Sequence, residues 1–243
     1  MSDFFIWAHR GASAVAPENT MAAFRAAAAA GADGIELDVH LSRDGVPVVI
    51  HDETVERTTD GRGAVARMGL AQLQQLDAGA WFAPAFAGET VPTLEAVFAW
   101  AAHRLRLNVE IKAVSAGLAV VELLRAYPQV RVLISSFDHT LLEQLRWQNP
   151  DLPLGFLVDS RFWRRAVLRA VGCRAESVHP RFDLLSRPLL ADCQRHGLAV
   201  HCWTVDRPDL CSSLRRQGVA GVFTNDPDRI VRHLRNFVGQ PSA

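Results

Sequence analysis

A chain of 243 residues is long enough to bury one large core, so a single domain is the default. Lys plus Arg and Asp plus Glu each total 26, so the formal charge is zero. No global field draws nucleic acid or an anionic bilayer, and any anionic ligand must be held by local groups.

The four cysteines, Cys173, Cys193, Cys202 and Cys211, form no C-x-x-C pair and no short Cys/His cluster. Buried reduced thiols are expected rather than a structural zinc site. The N-terminal MSDFFIWAHRG lacks a basic start followed by a long apolar run, and no stretch of about 18 uncharged apolar residues occurs. Neither a secretory leader nor a membrane span is expected, and the chain reads as cytoplasmic.

In chain order, short apolar β-branched runs alternate with stretches of helical period, which predicts β-α units around a buried parallel sheet. The first strand is 4–8. Thr20 caps MAAFRAAAAA, and Gly31 ends it with the residue best suited to a left-handed turn. Strand two is 34–39, and an apolar stretch at 47–51 follows. Residues 52–91 are too many for an ordinary connection of about 2 to 6 residues. They read as an insertion with one short helix, 70–76, forming a cap over the functional rim.

Thr93 then caps LEAVFAWAAHRL, and strand three is 107–111. Glu95 and Glu122 are expected in the first turns of successive helices, where a negative charge faces the helix dipole favourably. Strand four is 130–135, Asp138 starts HTLLEQLRW, and strands five and six are 154–158 and 176–179. Gly197 closes LLADCQRH before strand seven, 199–203. Asp206 precedes RPDLCSSLRRQ, which stops at Gly218; strand eight is 221–224, and Asp226 with Pro227 opens the last helix. The count predicts an α/β (β/α)8 TIM barrel, one domain over 1–243, with a small inserted cap subdomain after strand two. A doubly wound open sheet would need a reversal of strand order that sequence does not display.

In a barrel, side chains at the carboxyl ends of the strands line the site. Strand one ends in His9 and Arg10. Strand two places Glu36 and Asp38 on one face, and strand three does the same for Glu110 and Lys112. Crowded carboxylates repel unless a cation neutralises them, and an all-oxygen set suits Mg²⁺ or Ca²⁺. His9 and His51 each end an apolar run beside a polar partner and are the candidate proton carriers. Arg10 and Lys112 suit phosphate oxygens, although Lys112 could equally be a plain ion pair with those acids. Trp203 is a candidate pocket wall, and Trp81, Phe82 and Phe137 could pack on ligand or fill core.

AHRGASAVAPENTMAAF, GIELDVHLSRDGVPVVIHDETVERTTDGRG, VPTLEAV, LNVEIK, SSFD, HCWTVD and GVFTNDP together resemble the glycerophosphodiester phosphodiesterases, in order and across nearly the whole chain. The resemblance implies a distorted TIM barrel with a small inserted subdomain. It implies Glu36, Asp38 and Glu110 as ligands of one divalent cation, and His9 and His51 as the acid/base pair. It further implies that Arg10 and Lys112 contact phosphate, that Phe137 and Trp203 shape the pocket, and that His179 touches substrate. Where many members read WTVN this chain has WTVD, which leaves the contacts of Asp206 open.

The function so implied is metal-dependent hydrolysis of a glycerophosphodiester to sn-glycerol 3-phosphate and an alcohol through a cyclic phosphate. Two rivals share the site residues. One is cleavage of lysophospholipids or phosphoinositides, for which the cap offers Trp81, Phe82 and Phe86 but no strongly basic stretch. The other is a barrel that binds a phosphoester without turning it over.

Overall fold

The computed structural model describes residues 4–238. Its strands are β1 (Phe5–His9), β2 (Gly34–Leu41), β3 (Pro47–Val49), β4 (Arg106–Ile111), β5 (Arg131–Ser136), β6 (Leu154–Val158), β7 (Ser177–Pro180), β8 (Ala199–Cys202) and β9 (Gly221–Thr224). The α-helices are α1 (Met21–Ala30), α2 (Leu70–Leu73), α3 (Leu94–Ala101), α4 (Ala116–Ala126), α5 (His139–Gln148), α6 (Trp163–Gly172), α7 (Arg187–Arg195), α8 (Pro208–Arg216) and α9 (Pro227–Val238).

Eight of the strands are parallel and run in the order β1-β9-β8-β7-β6-β5-β4-β2, and β2 pairs back to β1, so the sheet is a closed barrel. All eight expected strands are present, and closure removes the open-sheet alternative. Each strand is nearly continuous in apolar residues because helices cover its outer face; in β2, Gly34 to His40 are all buried. β3 is the exception. It runs antiparallel along β2 at 39–41, beyond the segment 34–36 that pairs with β1. This short hairpin carries the chain to His51, with Ile50 N donating to Asp38 O at 3.0 Å.

The caps explain where several helices begin. Thr20 accepts from Ala23 N, Thr93 from Ala96 N, and Asp138 from Thr140 N and Leu141 N. Glu122 does not sit in a first turn: α4 starts at Ala116, so this residue lies in the helix interior. The insertion holds α2, which ends at Leu73 rather than 76, between two single 3₁₀ turns. It is held by a small core of its own, in which Val55, Val65, Leu73, Ala78 and Val91 pack with Val48 and Ile50.

The lower barrel interior is plugged by Trp7, Leu133 and Phe223, with Trp7 and Phe223 stacked at 5.8 Å. Trp7 Nε1 donates to His201 Nδ1 at 3.1 Å, satisfying two buried polar groups at once. Gly34 makes room for this plug, since a Cβ there would lie 2.5 Å from the Trp7 ring and 2.8 Å from the Arg106 carbonyl. Gly34→Ala is therefore expected to destabilise the protein by roughly 1–3 kcal/mol, read as a lower urea midpoint at unchanged m value.

Candidate active site

Strand register assembles the acidic group. His9 of β1 stands opposite Glu36 of β2, and Asp38 of β2 stands opposite Glu110 of β4. With a side-chain period of two, Glu36 and Asp38 face the same way and meet Glu110. One carboxylate oxygen from each lies within 4.8 Å of the others, and all three residues are buried. Glu36 Oε2 accepts from Arg10 N at 2.8 Å, but its Oε1 is buried without a hydrogen-bond partner.

The electrostatics are those of crowded anions. Burial, then Asp38 and Glu110, hold Glu36 well above the usual carboxylate range. Burial and Asp38 push Glu110 up to about 7, although Lys112 opposes them. Asp38 goes the other way. Burial raises it, but Lys112, Arg10 and His51 outweigh burial and keep it ionised.

The loop after β1 is built to serve Asp38. Arg10 adopts φ 58° and Gly11 φ 83°, and a Cβ on Gly11 would lie 2.7 Å from Ala23 of α1. The chain thus turns tightly under α1 and sends Arg10 Nε to within 3.4 Å of Asp38 Oδ2. Asn19, also at positive φ (57°), clamps the same carboxylate: its Nδ2 donates to Asp38 Oδ2 at 2.8 Å. A left-handed arginine and asparagine flanking one buried acid are strain placed where geometry matters.

The two histidines have unlike partners. His9 Nδ1 lies 2.8 Å from Asn225 Oδ1, and its Nε2 faces Glu36 at 3.9 Å. Burial and the neighbouring Arg10 push His9 down to about 4, so its ring is neutral at pH 7. His51 Nδ1 instead meets the Asp52 carboxylate at 2.6 Å. Arg57 grips Asp52 with Nε at 2.6 Å and Nη2 at 3.1 Å, holding that carboxyl well below its usual range. Arg57 also forks onto Glu18 at 2.8 Å, and Glu18 binds Arg10 at 2.9 Å. A continuous ionic chain thus ties the inserted segment to the β1 loop.

Lys112 Nζ lies 2.7 Å from Glu110 and 3.3 Å from Asp38, so it is an ion-pair partner that also borders the rim. Its Nζ is 6.0 Å from the Phe137 ring, and Phe137 meets Trp203 edge to face at 5.7 Å. His179 differs from the expectation. Its side chain is fully buried in the barrel interior, bonded to Ser177 Oγ at 2.7 Å, and presents no surface to a ligand. Its carbonyl anchors Trp203 Nε1 at 2.8 Å. Trp81 and Phe82 pack edge to face within the insertion. Shape alone would mislead, because a groove of about 850 Å³ lined by Arg106, Tyr127 and Arg131 opens at the amino ends of β4 to β6, away from these residues.

Residues 9–229 match the model of the glycerophosphoryl diester phosphodiesterase family. The chain belongs to that family. It is 39% identical over 238 residues to a glycerophosphodiester phosphodiesterase of Caldanaerobacter subterraneus, covering 94% of this chain and 96% of the relative. A Bacillus subtilis glycerophosphodiester phosphodiesterase is 33% identical, covering 91% and 83%. Among solved structures, an Oleispira antarctica phosphodiesterase in complex with the product sn-glycerol-3-phosphate is similar with a TM-score of 0.87 and 31% identity, covering 95% of this chain and 96% of that one. As a glycerophosphoryl diester phosphodiesterase family member, the chain is an enzyme, a phosphoric diester hydrolase.

Sequence reasoning passed over Glu18, Asn19, Asp52, Arg57 and Asn225 as site residues. Glu18 and Asn19 lie in a loop whose aim only the fold reveals. Asn225 was within reach, since it immediately follows β9 at the carboxyl rim. The donor set suits a hard divalent ion: three carboxylates, two of them (Glu36 and Asp38) with a buried oxygen that lacks a hydrogen-bond partner, and no sulfur. Among the described residues no helix is long and apolar enough to cross a membrane.

The acidic crowding has a pH consequence. Glu110 binds its proton more tightly folded than unfolded, so the stability it contributes is present below the ordinary carboxyl value of 4.5 and is lost as pH rises through about 7. Ca²⁺ or Mg²⁺ should therefore raise Tm by several degrees more at pH 8 than at pH 5.5, where it must displace a proton. Thermal melts with cation or chelator at both pH values check this; equal shifts would exclude Glu110 from the cation site.

Proposed function

We propose that this enzyme hydrolyses glycerophosphodiesters to sn-glycerol 3-phosphate and an alcohol, with His9 and His51 moving the protons. The observation that supports it best is the meeting of three carboxylates, two of them with a buried oxygen that lacks a hydrogen-bond partner, with His9 across one strand pair. The family match and the product complex of the Oleispira relative support the same reading.

Glu36, Asp38 and Glu110 would hold one Mg²⁺ or Ca²⁺, which supplies Lewis-acid polarisation and charge neutralisation when bound. Arg10 and Lys112 orient the phosphate, while Trp203 and Phe137 wall the alcohol portion. Neutral His9 takes the proton of the glycerol hydroxyl beside the ester. That oxygen bonds to phosphorus, the bond to the leaving alcohol breaks, and His51, oriented by its hydrogen bond to Asp52, supplies the departing oxygen with a proton. Water then opens the cyclic phosphate with the two histidines in reversed roles. The four free, buried cysteines support a reducing, cytoplasmic setting.

The test is incubation of the purified protein with glycerophosphocholine, with and without a chelator, and assay of glycerol 3-phosphate. Release that a chelator abolishes supports the reading, and no release with added Mg²⁺ or Ca²⁺ refutes it.

A second reading draws on the rim itself. Phe137, Phe162 and Phe182, in the loops after β5, β6 and β7, are 42%, 85% and 40% exposed. Such a border would suit an acyl-bearing substrate, and rates on a lysophospholipid against glycerophosphocholine separate the two.

A further inference from the structure

A neutral imidazole carries one N–H, and the hydrogen bond at one ring nitrogen decides which nitrogen holds it. His9 Nδ1 faces the side-chain amide of Asn225, a group that can offer either an oxygen or an NH₂. Ser13 Oγ lies 3.0 Å from the same amide oxygen, but a hydroxyl donates or accepts and so does not choose between the ends.

Asp206 does choose. Its Oδ1 accepts from Asn225 N at 2.7 Å and Thr224 Oγ1 at 2.9 Å, and its Oδ2 meets the Asn225 side-chain nitrogen at 2.8 Å. A carboxylate with donors on both oxygens acts only as an acceptor. The Asn225 NH₂ must therefore point to Asp206, and its oxygen must point to His9. His9 Nδ1 is then the donor, and the lone pair is left on Nε2, the nitrogen that faces the acidic group.

We propose that Asp206 and Asn225 are positioning residues that lock His9 as its Nδ1–H tautomer, leaving Nε2 free to accept the proton of the substrate hydroxyl. The catalytic consequence rests on His9 being the base proposed above; the tautomer does not. The charge of Asp206 gives the amide a fixed direction. A sharp corollary follows. D206N replaces an acceptor oxygen with an NH₂ group that opposes the Asn225 NH₂. Rotation of Asn225 relieves the clash, turns its NH₂ to His9 Nδ1, and moves the ring proton to Nε2. The exchanged pair D206N/N225D again offers an acceptor to Nδ1 and should restore the first tautomer.

The experiment is ¹⁵N-histidine NMR of the cation-free protein at pH 7.5, with His9 assigned by loss of its signals in H9Q. The expected result is Nδ1–H in the wild type, Nε2–H in D206N, and Nδ1–H again in D206N/N225D. With saturating cation, kcat should fall in D206N by up to the ~10² to 10⁴-fold worth of a general base, with KM little changed, and recover in the exchanged pair. An Nε2–H wild type overturns the proposal without recourse to any variant. So does a folded D206N that keeps Nδ1–H. The expected tautomers together with full activity in H9Q would instead refute His9 as the base, and leave the orienting role of the pair standing.

Discussion

Replacing His9 with alanine is expected to lower kcat on glycerophosphocholine by roughly 10² to 10⁴-fold, and His51→Ala should cost a similar factor. Both side chains are at the rim, about 18% and 28% exposed, so truncation removes proton transfer without opening the core. The partners predict how the two variants differ. His51 sits on an ionised aspartate and is suited to giving a proton, whereas neutral His9 sits on an amide and is suited to taking one. A substrate with a nitrophenol leaving group needs no proton on departure. Its first-step release of nitrophenol should recover most of its rate with His51→Ala and little with His9→Ala, while opening of the cyclic phosphate stays slow in both. Equal recovery in both would contradict the division of labour, and near-normal turnover of glycerophosphocholine in either would remove that histidine from the reaction.

The second large effect concerns the carboxylates. Glu36→Gln keeps the shape but removes a charge from a set that burial already strains. Stabilisation of several kcal/mol from a Lewis acid corresponds to at least ~10²-fold in rate, and that loss is expected here. The stability effect should have the opposite sign. Without cation the variant relieves repulsion among three buried acids and should melt above the wild type, whereas the rise in Tm on adding Ca²⁺ or Mg²⁺ should vanish. Loss of activity together with a full cation-induced shift would place the ion elsewhere.

Much of this was legible before any coordinates. Strand period and caps determine the barrel, because each β-α unit announces itself locally: Thr20, Thr93 and Asp138 start helices where the sequence says they should. Glu36, Asp38 and Glu110 follow from alternation alone, since a period of two leaves little freedom for an E-x-D on a strand. Contacts made by loops were not legible. Nothing local in PENT tells that Glu18 reaches Arg57, 39 residues away, or that Asn19 clamps Asp38. His179 shows the opposite error. It lies on a strand whose side chains feed the barrel plug, and the resemblance that suggested a substrate contact did not reveal its burial. Asp206 was visible as a departure from a pattern, yet its purpose required its distance to Asn225.

The central claim is that Glu36, Asp38 and Glu110 hold one hard cation beside His9. Crystals soaked in Mn²⁺, with anomalous diffraction recorded, test it most directly. A single strong peak within about 2.0–2.6 Å of an oxygen from each of the three carboxylates is the predicted result. Carboxylates without such a peak, in crystals of protein that loses activity on chelation, would contradict it.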